Sequence, residues 1–311
     1  MVRGNDFWHN CVMRQKFPLL LLFLVVLLNG TAAHAQPLTF EWVDFSGHRQ
    51  HLTLDIGAER LQRGMLHGRD QVGLLQVQQR VFAQAIESAR LKSTSDTQFT
   101  ITGSPQSFDV QATATPELAE YARRVVMELL EGIKASVVDP GSDSYFIYDD
   151  ASKGIRPDYN LVAADNQDLF AAFAQALLAR FGPDSPVELI NQLLAFLQAI
   201  PYDDMLSSNF PMATPVQLLV ENRGDCEGKQ TFLVGVLRHL FQDRPLFLIN
   251  LPDQEHILAG IGLESDYASG VKHNGQSVVL MDATGPGHFP FGVIPGFFHN
   301  NNQSVWHAYI H

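Results

Sequence analysis

The sequence is poor in cysteine and in positive charge, and it lacks a hydrophobic run long enough to span a bilayer comfortably. Its 311 residues include two cysteines, which cannot form the disulfide framework of a small secreted domain. Acidic residues outnumber basic ones by 33 to 21, so the net charge is −12. This argues against a non-specific nucleic-acid binder, which needs a basic surface. A hydrophobic content of 46% against 17% charged residues excludes intrinsic disorder and indicates one or two folded domains.

The N-terminal segment is typical of an exported protein. Residues 17–28 form an uncharged apolar run, shorter than the roughly 20 residues needed to cross a membrane and close to the length of a signal-peptide core. Arg14 and Lys16 precede this run, and residues 33–35 form a small-x-small cleavage site. We therefore predict a signal peptide over residues 1–35, cleavage after Ala35 and a periplasmic or secreted protein. An uncleaved membrane anchor is the alternative.

Cleavage would leave Cys226 as the only cysteine, because Cys11 lies in the signal segment. It would also move the net charge to −14. A single cysteine in an oxidising compartment has no intramolecular partner, which favours a reactive thiol. The alternatives are an inert buried thiol and an intermolecular disulfide.

Hydrophobic periodicity divides the mature chain into two regions. The first, residues 36–145, is a small α+β region without a chemical motif. Its predicted elements are strands at 38–43 and 51–56, a helix at 71–91, a hairpin at 98–110 and a helix at 116–134. A turn cluster at 139–143 marks the boundary with the second region, residues 146–311.

The second region alternates helical and extended patterns. The predicted helices lie at 169–181, 186–200 and 214–219, followed by a helix beginning near Cys226. The predicted strands lie at 145–148, 246–251, 256–262 and 277–282, with a hairpin turn at 274–275 and loops at 155–159 and 299–302.

Cys226 is expected in the first turn of a buried helix, because apolar residues recur on one helical face after it. Unpaired N–H groups and the helix dipole favour an anion at that position. The placement therefore predicts a lowered thiol pKa and an activated nucleophile. Asp225 is expected to cap this helix.

A thiolate nucleophile needs a base and a group that orients the base. His256 opens a predicted strand, and Asp282 lies near the end of the next predicted strand. We expect His256 to be the base and Asp282 to orient it. The alternatives are His239 and His273 for the base, and Asp253 and Asp266 for the orienting group.

Three short motifs together resemble the landmarks of the transglutaminase-like superfamily. They are GDCEGK around Cys226, the isolated His256 at a strand start, and MDAT at residues 281–284. The resemblance covers residues 185–290. It implies a papain-like Cys–His–Asp triad on an α+β fold, with the cysteine-bearing helix packed on an antiparallel sheet that carries the other two residues. Cys226 would then be the nucleophile, His256 the general base and acid, and Asp282 the orienting group.

The chain departs from bacterial members of this superfamily at two points. Ile257 and Leu258 follow the histidine where many members have an aromatic residue, and residues 228–230 read Gly-Lys-Gln where adhesin-cleaving members often read Asp-Tyr-Ala. The second departure weakens the inference that this chain depends on calcium as the adhesin-cleaving members do. We predict no cofactor, with the carboxylate pairs at 149–150 and 203–204 as alternative calcium ligands.

The resemblance implies a cysteine peptidase or amidase that cleaves a protein or peptide of the cell envelope through a thioester. Transfer of the acyl group to an amine, which cross-links proteins, is one alternative. A non-catalytic binding module is another. We expect neither a nucleic-acid partner nor an integral membrane protein after signal cleavage, and the oligomeric state stays open.

Overall fold

The computed structural model describes residues 37–57, 59–61, 73–137, 145–150, 152–204, 212–263, 269–285, 287–296, 298 and 304–309. The predicted signal segment, the turn cluster at 139–143 and the loop at 299–302 lie outside these residues. The described residues combine helices with antiparallel sheets, which confirms the predicted α+β class.

An antiparallel hairpin opens the described chain. Strands β1 (Leu38–Val43) and β2 (Arg49–Leu54) pair along their whole length. Side chains on β2 alternate between exposed and buried positions, as expected of a strand with one face in the core. The predicted strand pattern is confirmed here.

The next elements form a four-stranded sheet with two helices. These are α1 (Leu74–Lys92), β3 (Thr97–Ser104), β4 (Ser107–Ala114), a 3₁₀ turn at Pro116–Leu118, α2 (Ala119–Val137), β5 (Phe146–Asp149) and β6 (Gly154–Pro157). The strand order is β3-β4-β6-β5. The predicted helices and hairpin are confirmed, but the loop predicted at 155–159 is wrong. Residues 154–157 form a strand there because they pair with β5, a partner that local sequence does not reveal.

This sheet extends across the boundary predicted between residues 145 and 146. Strands β5 and β6 follow that boundary, and β6 bridges to β4 through Gly154 and Ser107. The division into two domains stays a prediction.

Five helices follow, and the last of them carries the cysteine. They are α3 (Tyr159–Ala164), α4 (Gln167–Phe181), α5 (Pro186–Ala199), α6 (Pro215–Glu221) and α7 (Cys226–Leu240). Helix α6 starts with a capping box between Thr214 and Gln217. Eleven of the first twelve residues of helix α7 are buried, and the helix packs against α4 and strands β7 and β8.

A five-stranded antiparallel sheet carries the other two candidate residues. Its strands are β7 (Leu246–Leu251), β8 (His256–Gly262), β9 (Gly270–His273), β10 (Gln276–Met281) and β11 (Val305–Tyr309), in the order β11-β7-β8-β10-β9. The hairpin turn at Asn274 and Gly275 has positive φ at both residues, as a type I′ turn requires. Since Met281 pairs with Ala259, the start of β8 and the end of β10 lie at the same end of the sheet.

Both faces of this sheet are covered. Helix α7 and the main apolar cluster contact one face, where Ile257, Ala259 and Met281 lie. A second cluster on the other face includes Leu258, Val278 and Phe298. The main cluster also includes aromatic rings from the hairpin, α4, α5 and α7, with Phe173 packed edge-on against Phe232.

Candidate active site

Cys226 is the first residue of α7, and its position is set by the residue before it. The Asp225 carboxylate accepts hydrogen bonds from the backbone N–H of Gly228 at 2.9 Å and of Ala213 at 3.1 Å. The expected capping role of Asp225 is therefore confirmed. These bonds place the thiol at a helix N-terminus and bury it, with 4% of the residue exposed.

The thiol is bonded to its neighbour in the chain. Cys226 Sγ donates a hydrogen bond to Glu227 Oε2 at 2.8 Å. Burial raises the pKa of Cys226 far above its usual range, and the negative charges of Glu227 and Asp225 raise it further. The prediction of a lowered thiol pKa is wrong for this arrangement, because desolvation and two carboxylates outweigh the helix dipole.

His256 and Asp282 are paired, as the sequence predicted. His256 Nε2 lies 3.3 Å from Asp282 Oδ2. An ionised carboxylate only accepts hydrogen bonds, so Nε2 carries the proton of the neutral imidazole. Nδ1 then has the free lone pair, and it is the nitrogen available to act as a base.

Phe298 supports the imidazole ring. The two rings stack with a centroid separation of 4.6 Å and an interplanar angle of 7°. Sequence reasoning missed this residue, because Phe298 lies 42 residues after His256 and no local pattern connects the two segments. The contact holds His256 toward the sheet face opposite to α7.

Buried polar bonds connect α7 to the segment that carries Asp282. Gln230 Nε2 donates to Asp282 Oδ1 at 3.2 Å, and Lys229 Nζ donates to the backbone carbonyl of Thr284 at 2.7 Å and of Ile200 at 2.5 Å. Both α7 residues are fully buried. Burial lowers the pKa of Lys229 to about 8, although the nearby charges of Asp282, Asp225 and Cys226 oppose that shift.

Two tyrosines lie in the electrostatic surroundings of the thiol. Burial raises the pKa of Tyr202 to about 12, with further increases from the charges of Cys226 and Glu227. Burial also raises the pKa of Tyr159, again with contributions from Glu227 and Cys226. Tyr202 is 53% exposed and pairs in a parallel bridge with Gly224, which lies two residues before the helix that begins at Cys226.

Two of the alternative residues, His239 and His273, have partners elsewhere in the fold. His239 lies in the last turn of α7, where Nε2 is 3.0 Å from Gln167 Oε1. His273 stacks on Trp306 at the edge of the sheet. Asp253 lies in the 3₁₀ turn Pro252–Gln254 before His256, and Asp266 is outside the described residues.

Of the three predicted site residues, the structure brings two into direct contact. His256 and Asp282 touch, and Asp282 is tied to the cysteine helix through Gln230. Over the ranges that the structure describes, no hydrogen bond or ion pair joins Cys226 to His256, because the thiol donates to Glu227. The catalytic roles of all three residues stay predictions.

The carboxylate pairs named as alternative calcium ligands make other bonds. Asp149 accepts from Ser152 Oγ at 2.7 Å and lies 3.5 Å from Arg156 Nε. Asp203 pairs with Arg223 at 2.5 Å. Within the described ranges, the side chains form no group of three or more histidine, cysteine or acidic residues able to hold a metal ion.

None of the helices in the described ranges is both long and apolar enough to cross a membrane. Comparison of the chain with protein-family models, curated proteins and solved structures finds no match.

Proposed function

We propose that the chain is an exported cysteine hydrolase that cleaves an amide bond of a protein or peptide in the cell envelope. In this proposal residues 146–311 form a papain-like, transglutaminase-like domain in which Cys226, His256 and Asp282 act as a triad. The observation that carries it is the His256–Asp282 pair, linked by Gln230 to the helix that begins at Cys226.

The proposed reaction begins with transfer of the thiol proton from Cys226 to Nδ1 of His256. The thiolate attacks the amide carbonyl carbon, and the imidazolium protonates the nitrogen as the C–N bond breaks. This gives a thioester and releases the amine. Water then loses a proton to His256 and attacks the thioester, which regenerates the thiol and releases an acid. Asp282 stabilises the imidazolium in both halves of the cycle.

The thiol has to leave Glu227 before it reacts. Burial raises the pKa of the thiol, and the bond between Sγ and Oε2 raises it further, which favours the protonated form in the resting protein. Substrate entry would have to release the contact between the thiol and Glu227. The hydrolase proposal therefore predicts a thiol that reacts slowly in the free protein and faster in the presence of substrate.

The test uses residues 36–311 and a peptide library, with cleavage products and a trapped thioester measured by mass spectrometry. We expect Cys226→Ala and His256→Ala to abolish cleavage. His239→Ala is the matched control, because that histidine lies on the same helix as Cys226 but bonds to Gln167. Cleavage by the Cys226→Ala protein would overturn the proposal, and incorporation of a fluorescent primary amine would show acyl transfer in place of hydrolysis.

A second candidate is a non-catalytic module that grips a peptide segment. The observation that favours it is the raised pKa of the buried Cys226 thiol. In this case library peptides bind without being cleaved, binding survives Cys226→Ala, and iodoacetamide labels the wild-type thiol no faster when a bound peptide is present.

A further inference from the structure

We propose that Gln230 is a positioning residue that sets the rotation of the Asp282 carboxylate. In this role it keeps Oδ1 bonded to the helix that begins at Cys226 and leaves Oδ2 facing His256. This inference rests on the proposed function and extends it. Gln230 Nε2 lies 3.2 Å from Asp282 Oδ1, and the backbone N–H of Thr284 donates to the same oxygen at 2.9 Å. Oδ2 is left for His256 at 3.3 Å.

Other bonds already fix the backbone around Asp282. Gln198 Nε2 donates to the Asp282 carbonyl at 2.8 Å, and Lys229 Nζ donates to the Thr284 carbonyl at 2.7 Å. With the main chain held at both residues, rotation about the side-chain bonds is the freedom that remains to the carboxylate. Gln230, which lies on α7, restricts this rotation through its bond to Oδ1.

The orientation of the Gln230 amide follows from the charge of its partner. Turning the amide over would place Oε1 against a carboxylate oxygen, so Nε2 must face Asp282. Oε1 is then buried with no hydrogen-bond partner. An unpaired buried acceptor costs stability, and such local violations are expected at functional sites. An apolar side chain of the same length would avoid that cost but could not orient Asp282.

We expect Gln230→Met to lower activity without lowering stability. In the full protein without its signal segment, we expect kcat on a library-derived peptide to fall about tenfold or more, with KM nearly unchanged, as for other residues that orient a reacting group. The melting temperature is expected to stay the same or rise. Gln192→Met is the matched control, because Gln192 is equally buried and hydrogen-bonded to Trp42 and Asp44, far along the chain from Asp282.

A second readout does not depend on activity. In protein labelled with ¹⁵N-histidine, we expect the proton on Nε2 of His256 to give a downfield signal from its bond to Asp282. Gln230→Met should shift or broaden that signal, and Gln192→Met should leave it unchanged. If the wild type shows the signal but cleaves no peptide, the hydrolase proposal fails while the positioning role stands. An unchanged signal in Gln230→Met would overturn the positioning role.

Gln230→Glu keeps the proposal testable if the methionine variant does not fold. A protonated carboxyl at this position can donate to Asp282 Oδ1, whereas an ionised one repels it. We expect the histidine signal and kcat to approach wild-type values at low pH and to fall as the pH rises, more steeply than in the wild type. The same pH dependence in both proteins would contradict the proposal.

Discussion

Glu227 contacts the thiol directly in the resting protein, because its carboxylate accepts the thiol hydrogen bond. Replacing it by glutamine removes a negative charge next to Cys226 while keeping the size of the side chain. We expect the pH midpoint of iodoacetamide labelling in Glu227→Gln to fall by at least about one unit. It should stay above that of a free thiol, because burial is the largest cause of the raised pKa.

The control for this experiment is Glu120→Gln on α2. Glu120 is exposed and pairs with Arg123 three residues later, so its loss should leave the labelling profile unchanged. A midpoint that does not move in Glu227→Gln would mean that the Glu227 contact does not govern the thiol. The hydrolase and the binding module both predict this shift. The experiment therefore tests the effect of the Glu227 charge on the thiol and does not distinguish the two functions.

Lys229 makes the free energy of unfolding change with pH in the alkaline range. Its pKa lies at about 8 in the folded chain, below its usual 10.5, so between these values the unfolded chain holds a proton that the folded chain lacks. The free energy of unfolding therefore rises as the pH increases from 8 to 10.5, and the full cost of burying the ammonium group is present below pH 8. We expect wild-type protein to gain roughly 3 kcal/mol relative to Lys229→Met over this interval.

Urea unfolding of both proteins at pH 7, 8, 9 and 10 measures that gain. Lys229→Met also loses two hydrogen bonds to backbone carbonyls, a cost that does not vary with pH and cancels in the comparison. Lys92→Met is the control, because that lysine is exposed and pairs with Glu128 on the surface. Parallel pH profiles for wild type and Lys229→Met would contradict the prediction.

At the scale of elements, the packing of α7 against α4 depends on a glycine. A Cβ at Gly235 would overlap the ring of Phe170, which is fully buried, whereas a Cβ at Gly132 on α2 would meet nothing within 4 Å. Alanine favours a helix over glycine by about 1 kcal/mol at either site. We therefore expect Gly132→Ala to stabilise the protein by about 0.5–1 kcal/mol and Gly235→Ala to destabilise it by about 1–3 kcal/mol.

The two alanine variants form a matched pair, since each changes one glycine inside a 15- or 19-residue helix. Urea unfolding gives both values. Equal stabilisation in the two variants would show that Phe170 moves aside freely and that the α4–α7 interface is loosely packed. A destabilised Gly132→Ala would show that α2 carries strain that its open surroundings do not reveal.

Elements with a local signal were predictable from the sequence, and elements defined by distant partners were not. Strands β7 and β8 match their predicted bounds because continuous apolar runs mark them. Strand β11 was not predicted, since it exists through pairing with β7, more than fifty residues earlier. The same distinction applies to the site. Residue types and order indicated His256 and Asp282, whereas the contacts of Phe298 and Gln230 arise only when remote segments fold together.

At the scale of the whole molecule, the N-terminal region contributes contacts that residues 146–311 cannot replace. Phe40 and Trp42 of the hairpin pack against Phe196 of α5 at 5.4 and 5.6 Å, and Trp42 donates to Gln192 at 3.1 Å. Tyr148 of β5 donates to the carbonyl of Phe108 on β4 at 2.9 Å. Losing these partners would expose aromatic surface and leave β5 and β6 without the rest of their sheet.

We therefore expect residues 146–311, expressed alone, to aggregate or to lack a cooperative thermal transition, as measured by size-exclusion chromatography and near-ultraviolet circular dichroism. A protease site inserted in the segment 139–143 provides the control, because a cut there keeps both parts of the chain in the sample and with them the partners of Trp42 and Tyr148. The nicked protein should elute as one species and melt cooperatively. A soluble, cooperatively melting 146–311 fragment would instead show that the predicted boundary separates two independent domains, since the aromatic contacts of Trp42 would then be dispensable for folding.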